Sequence, residues 1–226
     1  MTYVIADIHG EYDLFVQLLN KIRFSLEDNI IICGDIIDKG QDSVKLLKLI
    51  KSMPNARCVI GNHEYVFLSR YHHLMEQSPD DFDGVLNNLK DYFEDGYLLD
   101  YDVLDWLESL PYYIEEEDFI CVHAGVPLNA DKTLMALENA KIEQLVYDRQ
   151  FKERNVYFEG DKCVFFGHTP ISYINNQNKI TAYKKRGMNT GTIKDFYKVH
   201  LDTGVWILGV MGCFCVDNCT CYYVEK

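Results

Sequence analysis

Short apolar runs recur along the chain, at 2–6, 29–33, 57–60, 119–122 and 163–166, built mainly from Val, Ile, Phe and Cys. Runs of this length, rich in β-branched residues and closed by Gly or a polar cluster, predict strands buried on both faces, as in a parallel sheet. Between the first two runs, Leu14, Phe15, Leu18, Leu19 and Ile22 fall on one helical face, which predicts a helix over 11–23. Strand, helix and strand then make a first βαβ unit. Asp42 and Ser43 can start a second helix, with Val44, Leu47 and Ile50 on its apolar side and Pro54 closing it.

Residues 65–110 lack β-branched runs and read as a helical insertion, with helices near 65–77, 83–95 and 101–109. The acidic residues 115–118 read as a solvated turn, and 131–146 as another helix. From 171 to 226 the pattern shortens to strands at 179–183, 196–201, 205–211 and 219–224, with turns at Asp202-Thr203-Gly204 and Asp217-Asn218. This predicts a second, largely antiparallel sheet packed on the first. No linker, repeat or low-complexity tract interrupts 1–226, so the expectation is a single α/β domain.

The residues that follow the apolar runs share a character. The first run leads into Asp7-Ile-His9-Gly10, the second into Gly34-Asp35-Ile-Ile-Asp38-Lys39-Gly40, and the third into Gly61-Asn62-His63-Glu64. His123-Ala124-Gly125 follows 119–122, and Gly167-His168-Thr169 follows 163–166. Four of the seven histidines lie at such ends. In open α/β sheets these loops carry the ligands. Paired carboxylates at one of them are costly unless a cation meets them. Asp35 therefore reads as a metal ligand, and Asp38 as the residue that orients a catalytic acid or base. Asp7 and His9, two apart beside a turn-permitting glycine, can point at one ion. Asn62 offers a neutral oxygen, and His63 a proton near neutral pH. Tyr71-His72-His73 reads as solvated helix surface, because adjacent residues on a helix face different ways.

Composition narrows the partners. The 226 residues suffice for one large domain or two small ones, and a hydrophobic share of 48% supports a sizeable core. A formal net charge of −13 opposes sequence-independent binding to nucleic acid or an anionic membrane. It also requires local positive charge, such as metal ions, wherever an anionic substrate binds. Residues 2–6 read as a strand and not as part of a secretory signal. The longest nearly apolar stretch, 204–216, is too short and glycine-rich to span a bilayer. The expectation is a cytosolic protein whose eight cysteines are reduced thiols. Cys213, Cys215, Cys219 and Cys221 flank the turn at 217–218. With a two-residue loop, Cys215 faces Thr220 and the two pairs point to opposite faces. With a three-residue loop all four share one face and could bind zinc or form cross-strand disulfides. Free cysteines are also commonly small buried hydrophobes.

In this order, the five motifs resemble the phosphoprotein phosphatase branch of the calcineurin-like metallophosphoesterases, whose small bacterial and phage members are nearest in length. The resemblance implies a four-layer α/β/β/α sandwich, with two mixed sheets flanked by helices, and a site for two divalent metal ions. Asp7, His9 and Asp35 would hold the first ion. Asp35, Asn62, His123 and His168 would hold the second, with Asp35 bridging. One bridging carboxylate can keep two cations about 3.5–4 Å apart. Mixed oxygen and imidazole ligands suit Mn, with Fe and Zn as alternatives. The implied reaction is direct in-line attack of a metal-activated hydroxide on a phosphomonoester. His63 would protonate the leaving oxygen and Asp38 would hold its imidazole. Arg149, in Tyr147-Asp148-Arg149, resembles the family's phosphate-clamping arginine. Lys39 stands where the family carries arginine, keeping the charge but losing the bidentate fork. His200 reads as a strand residue.

The first functional expectation is a serine/threonine protein phosphatase acting on phosphoproteins and small phosphoesters. The alternative is a dinucleoside tetraphosphate hydrolase, since related enzymes share these motifs. A third reading, a metal-binding scaffold without catalysis, is opposed by retention of every candidate ligand and of His63.

Overall fold

The computed structural model describes residues 1–76, 89, 93–94, 97–153, 156–158 and 160–226. The strands, in chain order, are β1 (Thr2–Ile5), β2 (Asn29–Cys33), β3 (Ala56–Val59), β4 (Phe93–Glu94), β5 (Tyr97–Leu98) and β6 (Tyr113–Glu115). They continue with β7 (Phe119–Val122), β8 (Cys163–Phe166), β9 (Thr181–Lys184), β10 (Phe196–His200), β11 (Val210–Cys215) and β12 (Thr220–Glu225). The α-helices are α1 (Tyr12–Lys21), α2 (Ser43–Ser52), α3 (Asn62–Glu76), α4 (Tyr101–Ser109), α5 (Ile142–Tyr147), α6 (Ser172–Asn175) and α7 (Val205–Leu208).

Two five-stranded mixed sheets result, ordered β12-β11-β1-β2-β3 and β6-β7-β8-β10-β9. In the first, β1, β2 and β3 are parallel and β11 runs antiparallel to β1. In the second, β7, β8 and β10 are parallel, with β6 and β9 as antiparallel edges. Alternation along each strand divides the apolar residues between layers. Ile30 and Ile32 of β2 face a core shared with Leu14, Phe15 and Leu18 of α1 and Leu46, Leu47 and Ile50 of α2. Ile31 and Cys33 face the other way, into a core between the sheets with Cys121, Phe165, Val199 and Phe214. The far face of the second sheet is covered by Leu145 and Val146 of α5 together with Phe151 and Phe158. The architecture is the expected four-layer α/β/β/α sandwich.

Several expectations from the sequence require correction. The C-terminal strands form no sheet of their own. The β11–β12 hairpin extends the first sheet, and β9 and β10 complete the second. Residues 205–208 are helical and not the start of a strand, because Gly204 (φ 74°) and Gly209 (φ 67°) bound them in left-handed backbone. The helix expected over 131–146 begins only at Ile142. Asn129, Asp131 and Thr133 bond one another locally, with the Thr133 N–H donating to Asp131 Oδ1 at 3.0 Å, and such side-chain turns compete with helix. The helix expected over 83–95 lies mostly outside the described residues, and Phe93–Glu94 pairs with Tyr97–Leu98 as a small antiparallel ribbon. No helix among the described residues is long and apolar enough to cross a membrane.

The hairpin register settles the cysteine cluster. Cys215 pairs with Thr220 and Phe214 with Cys221. Cys213 and Cys215 therefore join the helix-side core, while Cys219 and Cys221 pack toward the inter-sheet core. Two pairs on opposite faces of a sheet cannot share a zinc ion, and all eight thiols are free.

Phe214 is the residue of β11 that couples the sheets, with its ring 5.4 Å from Phe165 and 6.1 Å from Phe196 between centroids. Phe214→Ala is expected to lower unfolding free energy by about 3–5 kcal/mol in denaturant titration. A loss below about 1 kcal/mol would mean that the inter-sheet core is not what holds the two sheets together.

Candidate active site

The carboxyl ends of β1, β2 and β3 in one sheet meet those of β7 and β8 in the other. The His123 ring, one residue beyond β7, donates Nδ1–H to the Cys33 carbonyl at the end of β2 at 2.9 Å. The loops at this junction are sharply bent. Asp7, His9, Asp35, Asp38, Lys39 and His168 all have φ between 51° and 71°. They are six of the ten non-glycine residues with positive φ among those described. Such backbone costs on the order of 1 kcal/mol or more per residue and persists where surrounding structure over-determines it. For the loop after β2 the determinant is visible. The buried Glu64 carboxylate accepts backbone N–H bonds from Asp35, Ile36, Ile37 and Gly61 at 2.8 to 3.1 Å. Gly61 is required at its position, since a Cβ there would lie 2.3 Å from the Asp35 amide nitrogen.

Two clusters of ligand atoms form around Asp35. Its carboxylate shares one cluster with His9 and His63, and the other with His123 and His168. Asp35 Oδ2 is 3.8 Å from both His9 Nε2 and His63 Nε2, and Oδ1 is 3.4 Å from His123 Nε2. Asn62 Oδ1 joins the second cluster, 2.9 Å from His123 Nε2 and 2.7 Å from His168 Nδ1. Asp7 lies outside both clusters. Its two oxygens accept the His168 backbone N–H at 3.0 and 3.1 Å.

The electrostatics fit divalent cations. Burial holds His9 down to about 4 and His168 down to about 3, and it lowers His123 as well. All three rings are therefore neutral at pH 7. His9 and His123 donate Nδ1–H to the carbonyls of Ile37 and Cys33, so each turns a bare Nε2 inward. A ring nitrogen fixed by a carbonyl on its far side is the usual arrangement for a metal-binding imidazole. Burial raises Asp7, further pushed by Asp202 and Asp35. Burial and Asp35 push Asp202 up to about 7. Asp35 is opposed by burial but held below its ordinary value by His123, His9 and His63. Neutral imidazoles and a crowd of buried carboxylates form a donor set for cations and for little else.

The clusters open into a cleft of about 230 Å³ rimmed by His63, Lys39, Arg149, Pro170, Tyr173 and Trp206. His63 Nδ1 lies 2.5 Å from Asp38 Oδ2, which leaves Nε2 toward the cleft. Burial works against the His63 proton, yet the Asp38 hydrogen bond and the Asp35 charge hold its pKa above the usual value. Lys39 Nζ sits 4.4 Å from the centroid of the Trp206 ring. Arg149 precedes a segment pinned from below by Lys198, which is fully buried and donates to the carbonyls of Phe151 and Glu153 at 2.7 and 2.8 Å. His200 faces away from the cleft and donates Nε2–H to the Thr169 carbonyl at 2.8 Å. His72 is exposed and lies 3.2 Å from Glu108, outside any metal-type cluster among the described residues.

His9, Asp35, Asn62, His63, His123 and His168 thus converge on one place, with Asp7 behind it and Arg149 and Lys39 at its rim. Sequence reasoning missed Glu64, Asp202, Lys198 and Trp206 as parts of the site. Glu64 adjoined a recognised motif, but its role runs through backbone N–H groups that spacing does not reveal. Asp202 read only as a turn.

Glu64→Gln replaces one acceptor oxygen by a donor that would face N–H groups. The variant should bind Mn²⁺ about 10–100-fold more weakly in calorimetric titration, as for other residues that support metal ligands. Unchanged affinity would show that the loop holds its shape without Glu64.

Comparison with known proteins agrees with this geometry. A sequence profile of calcineurin-like phosphoesterases matches residues 2–201. A protein of Aggregatibacter actinomycetemcomitans named bis(5'-nucleosyl)-tetraphosphatase, symmetrical, is 30% identical over 164 residues, covering 70% of this chain and 57% of that one. A Vibrio parahaemolyticus protein of the same name is 31% identical over 127 residues, covering 55% and 44%. The chain spans about half the length of these curated relatives. A solved structure described as a candidate diadenosine tetraphosphatase superposes with a TM-score of 0.68 at 18% identity, covering 100% of this chain and 93% of the other. A metallophosphoesterase from Sphaerobacter thermophilus gives 0.58 at 17%, covering 99% and 86%, and shares the fold. With the profile spanning most of its length, the chain belongs to the calcineurin-like phosphoesterase family.

Proposed function

We propose that this chain hydrolyses dinucleoside tetraphosphates, using two divalent cations held around Asp35. The observation that carries the choice of substrate is the name shared by the curated relatives at about 30% identity. This reverses the order of the two readings made from the sequence, where protein phosphatase came first. The rim agrees with a nucleotide. Tyr173 and Trp206 are exposed aromatic rings beside the ligand clusters, and such rings stack on bases.

His9 and Asp35 are assigned to one cation, with Asp7, the third ligand that the resemblance implies, set behind them against the His168 backbone N–H, and Asp35, Asn62, His123 and His168 to the other. When bound, the cations supply neutralisation of phosphate charge and Lewis acidity for the attacking water. Asp35 lies between the two clusters and can serve both. Lys39 and Arg149 bring permanent positive charge to the cleft, which suits a substrate with several phosphates. His63 donates the Nε2 proton to the departing oxygen, and Asp38 holds Nδ1–H so that this proton points into the cleft. Oxygen and imidazole donors suit Mn, Fe or Zn.

Serine/threonine phosphatase activity is the second reading, favoured by the open rim around His63. The two readings differ in their demand on His63. A phosphoanhydride expels a phosphate oxygen, which is a far weaker base than a threonine alkoxide. His63→Ala should therefore reduce hydrolysis of a dinucleoside tetraphosphate by about 10²-fold and that of a phosphothreonine peptide by about 10⁴-fold, with metal content nearly unchanged. Equal losses, or loss of bound metal, would contradict the assigned role. Asp38→Asn removes a group that raises the His63 pKa. Because His63 acts protonated, the alkaline fall in rate should move to lower pH in the variant. An unmoved alkaline limb would mean that another group supplies the proton. Initial rates with Mn²⁺ on diadenosine tetraphosphate and on a phosphothreonine peptide decide the substrate. Fast release from the peptide alone would overturn the proposal.

A further inference from the structure

Symmetrical cleavage of a dinucleoside tetraphosphate breaks the central linkage and leaves one nucleoside and two phosphates on each side. A site centred on that linkage therefore has to receive a nucleoside on both sides. One side is the cleft of the ligand clusters, where Tyr173 stands at the rim. On the far side of Lys39 lies a second cleft of about 410 Å³, walled by Gly10, Tyr12, Gln41, Asp42 and Trp206. Lys39 and Trp206 line both clefts and stand at the boundary between them.

We propose that this second cleft receives one nucleoside of the substrate, with its base stacked against Trp206. The inference rests on the dinucleoside tetraphosphate reading above. Charge argues for a nucleoside here and against a phosphate. The walls carry Glu11, Asp13 and Asp42, and Lys226 is committed to Glu11 at 2.7 Å. Lys39 stands at the boundary with the ligand clusters, where a phosphate chain leaving the cations would pass. The aromatic surfaces are already used as platforms. Lys39 Nζ lies 4.4 Å over Trp206, and Lys45 Nζ lies 3.7 Å over Tyr12. Lys39 can leave the indole for a phosphate as the base takes up the ring. Gln41 and Asp42 supply amide and carboxylate groups for ribose hydroxyls.

Gly40 brings the loop after β2 against the loop after β1. A Cβ on Gly40 would lie 2.3 Å from the His9 carbonyl oxygen, so the backbone there is as close as it can come. The metal-side loop after β1 and the floor of the second cleft are therefore one rigid piece. Anchoring a nucleoside in the cleft fixes its phosphates relative to His9 and Asp35. Base stacking of this kind is worth about 1–3 kcal/mol, which corresponds to about 5- to 150-fold in affinity.

The test is calorimetric titration with ADP and, separately, with pyrophosphate, in the presence of Mn²⁺. Trp206→Ala should weaken ADP by tenfold or more and pyrophosphate by less than threefold, and Trp206→Phe should recover most of the ADP affinity. Gln41→Trp, which fills only the second cleft, should weaken ADP in the same selective way. Wild-type ADP affinity in Gln41→Trp, or equal weakening of ADP and pyrophosphate in both variants, would overturn the proposal. Failure of the wild-type protein to cleave diadenosine tetraphosphate is a separate result that removes the reaction itself. The ADP titration then still decides whether the cleft holds a nucleoside.

Discussion

A cluster of buried carboxyl groups with no buried cationic side chain beside it is the constraint on which the rest depends. Asp7, Asp35, Asp202 and Glu64 are all almost fully buried at the junction of the two sheets. Lys39 and Arg149 stay at the rim of the cleft. Isolated carboxylates in such surroundings carry a penalty of several kcal/mol each. Backbone N–H groups answer it for Glu64, and His168 N–H answers it in part for Asp7. Asp35 accepts the His63 backbone N–H at 3.0 Å, and three imidazole nitrogens stand 3.4 to 3.8 Å from its oxygens, spaced for an intervening ion. The fold holds a centre whose donor set fits cations supplied from outside the polypeptide.

The two-sheet architecture serves that centre. Parallel strands place their carboxyl ends on one edge, and stacking a second sheet of the same kind brings two such edges together. Ligands therefore come from five separate loops with little need for long ones. The left-handed backbone at Asp7, His9, Asp35, Asp38, Lys39 and His168 aims their side chains inward. Glu64 holds the loop after β2, so strain in that loop is supported by the first turn of α3.

Much of the site was legible in the sequence because function here sits at boundaries. Wherever an apolar run stopped, the next residues were Asp, His or Asn, and this conjunction survives without knowledge of the fold. The parts that were not legible work at a distance in sequence. Glu64 acts through the amides of a loop about 28 residues earlier and shows no spacing signal. Trp206 lies in a segment read as strand, because two left-handed glycines that make it a short helix look like ordinary strand punctuation. Residues 131–136 lost a helix to side-chain turns at Asn129 and Asp131. The cysteine hairpin was legible only as two registers, since a two-residue pleat turns on the loop length alone. Substrate was the least legible property. The rim carries residues outside the motifs, among them Arg149, Tyr173 and Trp206, and Lys39 departs from the pattern at a motif position on that rim.

The most direct measurement is anomalous diffraction from crystals grown with Mn²⁺. The account predicts two peaks about 3.5–4 Å apart, one on each side of the Asp35 carboxylate, with His9 at one and His123, His168 and Asn62 at the other. A single peak, or peaks that do not share Asp35, would contradict it.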